Sequence, residues 1–158
     1  MITLQIVTSK NCFAIFDLKA DEKHVAANQR SMAEAYAYYA EHGFGPIAYG
    51  IYNDEMPVGF IMAVISGPQL GDEDLSDGKP YYYLWRMMID NDHQSKGYGR
   101  AALHLLLQEI KKFPQGKADK MFTSVVPGNT AATRLYESFG FEKTGEVLDG
   151  EEVMELVL

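Results

Sequence analysis

The chain contains one cysteine, Cys12, so no disulfide can form within it. Cys12 lies in an apolar stretch, and its expected place is the packed interior. No apolar run nears the ~18 residues that a membrane span requires. No leader-like pattern opens the sequence, so no membrane partner is expected and the cytoplasm is the expected address. Positive charge is scarce, with 14 Lys and Arg against 22 Asp and Glu, a formal net charge of −8. Nucleic-acid binders show the opposite excess, so no nucleic-acid partner is expected, whereas a cationic small molecule suits such a surface. Repeats, low-complexity tracts and linkers are also missing. The 158 residues fit one domain, 1–158, large enough for a proper core.

What is present reads as alternating strands and helices. Ile2–Val7 is strand-like, and Thr8 or Ser9 can cap a helix reaching Leu18, with Cys12, Ile15 and Phe16 on one face. Ser31 and Glu34 have capping-box spacing, and Met32, Ala35, Tyr36, Tyr39 and Ala40 recur at helical intervals up to Gly43. Ile47–Tyr52 and Val58–Ile65 flank a turn from Asn53 to Pro57 and predict an antiparallel hairpin. The acidic stretch Ser66–Pro80 reads as a solvated, mobile connector. Next come a strand, Tyr81–Ile89, a helix, Tyr98–Lys112, stopped by Phe113-Pro114, and a strand, Lys120–Val125. Asn129 can cap a helix with Ala132, Leu135, Tyr136 and Phe139 inside, ended by Gly140. A hairpin, Phe141–Leu148 and Glu151–Val157, closes the chain around Asp149-Gly150. One α+β domain accounts for the whole pattern.

The stretch Gln94-Ser95-Lys96-Gly97-Tyr98-Gly99-Arg100 follows a strand and opens a helix. Main-chain N–H groups gathered where a helix dipole begins form an anion site. Gly97 and Gly99 admit close approach, and Lys96 and Arg100 add positive charge, so a phosphate-bearing ligand is expected here. The bare G-x-G-x-x-A pattern also fits a dinucleotide fingerprint, but the hairpins on both sides do not fit a Rossmann unit. The Gly-Lys-Ser/Thr ending of a Walker A loop is absent. A glycine turn that merely starts a helix remains open on the loop alone.

The loop fits Q/R-x-x-G-x-G/A, and Asn129 to Phe141 fits N-x-x-A-x-x-L-Y-x-x-x-G-F, one helix and one strand later. Both patterns, in that order, resemble the GNAT family of N-acetyltransferases. The resemblance implies a mixed, mostly antiparallel central sheet of about seven strands flanked by about four helices. It implies acetyl-CoA as cofactor, coenzyme A as product and no metal. Gln94 to Arg100 would cradle the pyrophosphate, while the backbone at Met88 and Ile89, where two strands splay, would pair with pantetheine. Asn129 has two roles open to it, helix cap and pantetheine contact. Tyr136 would be the proton donor to the departing thiolate. Family members often dimerise, so a homodimer is a possible state.

The reaction implied is direct acetyl transfer to a primary amine. Alkylamines titrate near ~10.4, so a base or water relay must accept a proton at neutral pH. The four histidines, His24, His42, His93 and His104, fall in unrelated contexts and suggest no triad. Glu34 is a candidate base, although its capping-box position offers it a structural role. Glu73 and Asp74 could overhang the acceptor from the acidic loop. Arg86 lies in a tyrosine-rich strand and needs an acidic partner. Tyr81, Tyr82 and Tyr83 alternate across the sheet, so at most one or two face the acceptor, Tyr83 among them. The segments His24–Asn28, Leu84–Asp90 and Gly145–Met154 resemble bacterial spermine/spermidine acetyltransferases within that family, which adds Asn28 as an acceptor-site candidate. Other small amines, peptide or protein N-termini, and a non-catalytic acyl-CoA-binding module remain as alternatives. A dinucleotide oxidoreductase is the weakest of them.

Overall fold

Seven strands form one sheet in the order β1-β2-β3-β4-β5-β7-β6. They are β1 (Ile2–Ile6), β2 (Ile47–Asn53), β3 (Met56–Ser66), β4 (Tyr81–Ile89), β5 (Lys120–Val125), β6 (Glu142–Leu148) and β7 (Glu151–Val157). Among the described residues four α-helices flank it: α1 (Cys12–Phe16), α2 (Asn28–His42), α3 (Tyr98–Ile110) and α4 (Thr130–Glu137). The computed structural model describes residues 1–158 apart from Glu22 and Val25, so Val25 of the His24–Asn28 segment lies outside the described residues. Every neighbouring strand pair is antiparallel except β4 with β5. No helix among the described residues is long and apolar enough to cross a membrane.

The central strand β3 is buried on both faces, as its continuous apolar run requires. Ile61, Ala63 and Ile65 meet Leu103, Leu106 and Ile110 of α3 in the main core. Phe60 and Met62 point the other way, onto Ile15 of α1 and Ala35 of α2. The period of two therefore supplies both cores from one strand.

Several expectations shift in detail. The capping box does not form. Helix α2 begins four residues earlier, after Ala27 instead of Ser31, because the buried Asn28 amide donates to Ile15 O at 2.8 Å and ties the helix start to α1. Ser31 lies inside the helix, its hydroxyl bonded back to Ala27 O at 3.2 Å. The buried stripe is accordingly rotated: Tyr36 and Tyr39 are exposed, while Ala35 is covered. Helix α1 is shorter than expected, and neither Thr8 nor Ser9 caps it; Asn11 occupies that position. Cys12 is only half-buried. The first hairpin turns tightly at Asp54-Glu55, with Met56 and Pro57 already in β3. The closing turn is as expected, with Asp149 and Gly150 both at positive φ, the geometry of a type I′ turn.

The acidic loop is tethered rather than loose. Asp72 accepts from Tyr38 Oη at 3.1 Å and from Ser66 Oγ at 2.8 Å, and Tyr81 Oη donates to Glu73 O at 2.6 Å. These bonds draw the loop against β3, β4 and α2 and make it a wall.

Candidate active site

Helix α3 starts at Gly97, whose φ of 78° lies in the left-handed region. The first intrahelical bond runs from Ala101 N to Gly97 O, which leaves the amides of Tyr98, Gly99 and Arg100 without helical acceptors. They open onto a groove of about 640 Å³, which Gln94, Ser95, Gly97 and Arg100 also line. A side chain at Gly97 would meet open space, yet its backbone would be strained. Arg100 is steadied over the Phe139 ring at 5.4 Å. Gln94 is bonded to Ile89 O at 3.1 Å, which ties the loop to the end of β4. Lys96 departs from expectation: its ammonium turns back to Asp92 O at 2.9 Å, and it does not line the groove.

The groove's other wall is an opened sheet. β4 and β5 pair only from Tyr82 to Leu84, opposite Met121 to Thr123. Beyond that fork the β5-facing edge of β4 is free of β5, and Met88 and Ile89 line the groove there. On its other edge β4 packs closely against Gly59 of β3, where a Cβ would sit 2.5 Å from Met88 O.

Asn129 is the N-cap of α4, accepting from Ala132 N at 3.2 Å, and it also lines the groove. The cap is shown, and the groove position leaves it room for a ligand contact. Tyr136 is buried at 6% exposure. Past the helix end, Phe141 N bonds Tyr136 O and Gly140 N bonds Glu137 O, a Schellman closure. It sets Phe141 against the Tyr136 ring, with centroids 5.6 Å apart and the planes tilted by 51°. Burial pushes that phenol up to about 12, and the Thr123 hydroxyl beside it offsets only part.

A waist of about 300 Å³ at the fork joins the groove to a second cavity of about 500 Å³. Asn129 and Tyr136 wall both groove and waist; Arg86, Ser124 and Glu151 wall both waist and second cavity. A bulge in β4 decides how Arg86 gets there. Met62 pairs with Arg86 and Ala63 with Leu84, leaving Trp85 as the extra residue. Before the bulge Tyr82 and Leu84 face the α3 core; after it Met87 and Ile89 do. Unbroken alternation would have put Arg86 under α3. Instead it meets Glu34 of α2 at 2.6 Å, and Arg30 meets the same carboxylate at 2.9 Å. Arg86 Nε is buried without an acceptor among the described residues.

The second cavity is acidic and aromatic. Asp72, Glu73, Asp149 and Glu151 line it, and none is in an ion pair among the described residues. Both arginines in its wall are committed to Glu34. Tyr81 and Tyr83 face it, while Tyr82 turns to the α3 core. Burial raises both Tyr83 and Tyr81, the latter to about 12. Two sequence candidates lie elsewhere. Asn28 is held by Ile15 O, and Asp74 accepts from Gly78 N at 2.8 Å without lining the cavity. Asp72, Glu151, Ser124 and Tyr38 were missed as site residues, since polar residues far apart in sequence carry no shared local pattern.

A model of the acetyltransferase (GNAT) family matches residues 12–141. The chain belongs to that family. It is 35% identical over 159 residues to the spermine/spermidine N(1)-acetyltransferase of Bacillus subtilis, covering 97% of this chain and 96% of that one. A 60-residue stretch is 40% identical to a ribosomal-protein-alanine N-acetyltransferase of Escherichia coli, 38% of each chain. In fold, this GNAT domain matches an aminoglycoside acetyltransferase solved with coenzyme A, with a TM-score of 0.75 and 21% identity over 99% of this chain and 95% of that one. The Escherichia coli enzyme's structure matches with a TM-score of 0.64 and 21% identity over 99% and 94%.

Proposed function

We propose that this GNAT enzyme is cytoplasmic and transfers the acetyl group of acetyl-CoA to a primary amine of a polyamine such as spermidine or spermine. The observation that carries this is the joining, through the fork, of a groove edged by free amides to a cavity whose unpaired charges are all carboxylates.

The groove fits the cofactor's diphosphate: the amides of Tyr98, Gly99 and Arg100 would hold it, with the Arg100 guanidinium alongside. The edge of β4 freed from β5 would take the amide groups of the pantetheine arm beside Met88 and Ile89, with the Ile89 carbonyl already accepting from Gln94 and the Met88 carbonyl lying on the β3 side. Acetyl-CoA supplies a thioester, an acyl group activated toward attack by nitrogen. Tyr136 walls the waist and, with its phenol raised to about 12, holds its proton at neutral pH, ready for the sulfur. In the second cavity Asp72 and Glu73 face Glu151 and Asp149 from opposite sequence regions. Such a cavity suits a flexible chain with more than one ammonium, and Tyr81 and Tyr83 add ring faces for cation contact.

Thiol release from acetyl-CoA, measured across spermine, spermidine, aminoglycosides and short peptides, tests the assignment. Polyamines are expected to give the highest kcat/KM. Faster turnover of peptides would favour N-terminal acetylation, which the 60-residue likeness to the ribosomal-protein enzyme supports. Binding of acetyl-CoA without thiol release under any acceptor would favour a non-catalytic module.

A further inference from the structure

Resting on the transfer to an amine proposed above, we infer that Glu151 takes the proton from the incoming ammonium, positioned by a hydroxyl chain through Ser124 from Tyr83. Tyr83 Oη donates to Ser124 Oγ at 2.8 Å, and Ser124 Oγ donates to Glu151 Oε2 at 2.5 Å. The three residues come from β4, β5 and β7, so the chain crosses the sheet at the fork. One carboxylate oxygen is fixed by it, and no bond among the described residues engages the other.

Position and elimination single this carboxylate out. Among the described residues it is the one carboxylate lining both the waist, where Tyr136 lies, and the acceptor cavity. Glu34, the candidate in the sequence, is gripped by Arg86 and Arg30. Asp72 accepts two hydrogen bonds, and with Glu73 and Asp149 it lines only the acceptor cavity. None of those three reaches the compartment that contains the proton donor.

The proton count closes. A substrate N–H bond breaks and an O–H bond forms on Glu151, leaving a neutral amine; that proton then passes to solvent. The nitrogen then forms its bond to the acetyl carbon, the carbon–sulfur bond breaks, and the sulfur takes the Tyr136 proton. The second proton lost by the nitrogen replaces it on Tyr136. Base and acid thus share one compartment but are separate groups.

Other charges share that compartment. Arg86 of β4, Arg30 of α2 and Lys23 of the segment before α2 are its cations among the described residues, and the His24 imidazole lines it too. Tyr136 of α4 is its phenol among the described residues, and Tyr83, Glu34 and Asp149 lie in the adjoining cavity wall. Arg86 and Arg30 are paired with Glu34 rather than Glu151, so neither arginine occupies the carboxylate that must meet the ammonium.

The test is the pH profile of kcat/KM for spermidine in Glu151→Gln, with acetyl-CoA affinity and Tm measured alongside. The glutamine keeps an acceptor for Ser124, so folding and cofactor binding are expected to match the parent. At neutral pH the rate is expected to fall by about 10²–10³-fold. It should recover by about tenfold per pH unit toward the amine's own pKa, because free amine then supplies itself. Ser124→Ala and Tyr83→Phe are expected to lose about tenfold with the parent's profile shape. Glu151→Asp should restore that shape at reduced rate, which serves where the glutamine variant folds poorly. A parent-like rate in Glu151→Gln, or a loss by one constant factor at every pH, overturns the assignment. A parent that releases no thiol with any amine overturns the transfer itself, and the base with it.

Discussion

The proposed cofactor groove and the proposed acceptor cavity meet at one fork in the sheet, yet they are built in opposite ways. The groove's anion cradle is made of main-chain amides within one short segment, Gly97 to Arg100, set by a single left-handed glycine and a helix start. The cavity is made of side chains from α2, the acidic loop, β4, β5 and the closing hairpin. A backbone site tolerates changes of side chain and fails when φ is disturbed. A side-chain site is retuned residue by residue.

That contrast can be broken at its strongest point first. Gly97→Val forces a β-branched residue into the left-handed region at a strain of about 1–2 kcal/mol and fills the space before the amides. Acetyl-CoA binding by calorimetry should be lost at concentrations that saturate the parent; retained affinity would mean the cradle lies elsewhere. Tyr136→Phe should lower kcat by about 10²-fold with acetyl-CoA affinity unchanged, since only the donated proton is removed. Unchanged turnover in a thiol-release assay would exclude the phenol as acid.

Asp72→Asn sharpens the cavity side. Its amide can still meet Tyr38 and Ser66, so the wall should stand, while the KM for spermidine rises roughly three- to tenfold. A monoamine's KM should scarcely move; equal loss for both would make Asp72 a structural tether only. The smallest effect is on stability in alkali. Tyr136 and Tyr81 have folded pKa values of about 12, above the usual ~10 of an unfolded tyrosine. Folded protein therefore holds protons that unfolded chain releases, so their stabilisation is complete below pH ~10 and lost as pH rises toward ~12. Tm should fall through that window, with tyrosinate absorbance appearing together with unfolding. Tyrosinate that appears before unfolding would place these phenols in water.

Much of the fold was legible because its signals are local. Asn129 as a cap, Gly140-Phe141 as a helix closure and Asp149-Gly150 as a turn each depend on a few adjacent residues. The start of α2 was not, since the Asn28 amide donates to the Ile15 carbonyl, thirteen positions away, and overrides the Ser31 and Glu34 spacing. That same displacement freed Glu34 from a capping role and gave it to Arg86.

By itself, then, the sequence determined the glycine-led helix start where we propose the diphosphate sits, the helix that carries Tyr136, and that the whole is a GNAT domain. Backbone conformation and helix ends are decided by neighbours along the chain. The tertiary structure alone decided which carboxylates line the second cavity. The bulge at Trp85 turned Arg86 toward Glu34, and the β4–β5 fork brought Ser124 and Glu151 beside Tyr136. Such convergence depends on register and packing between distant segments, which residue order does not display.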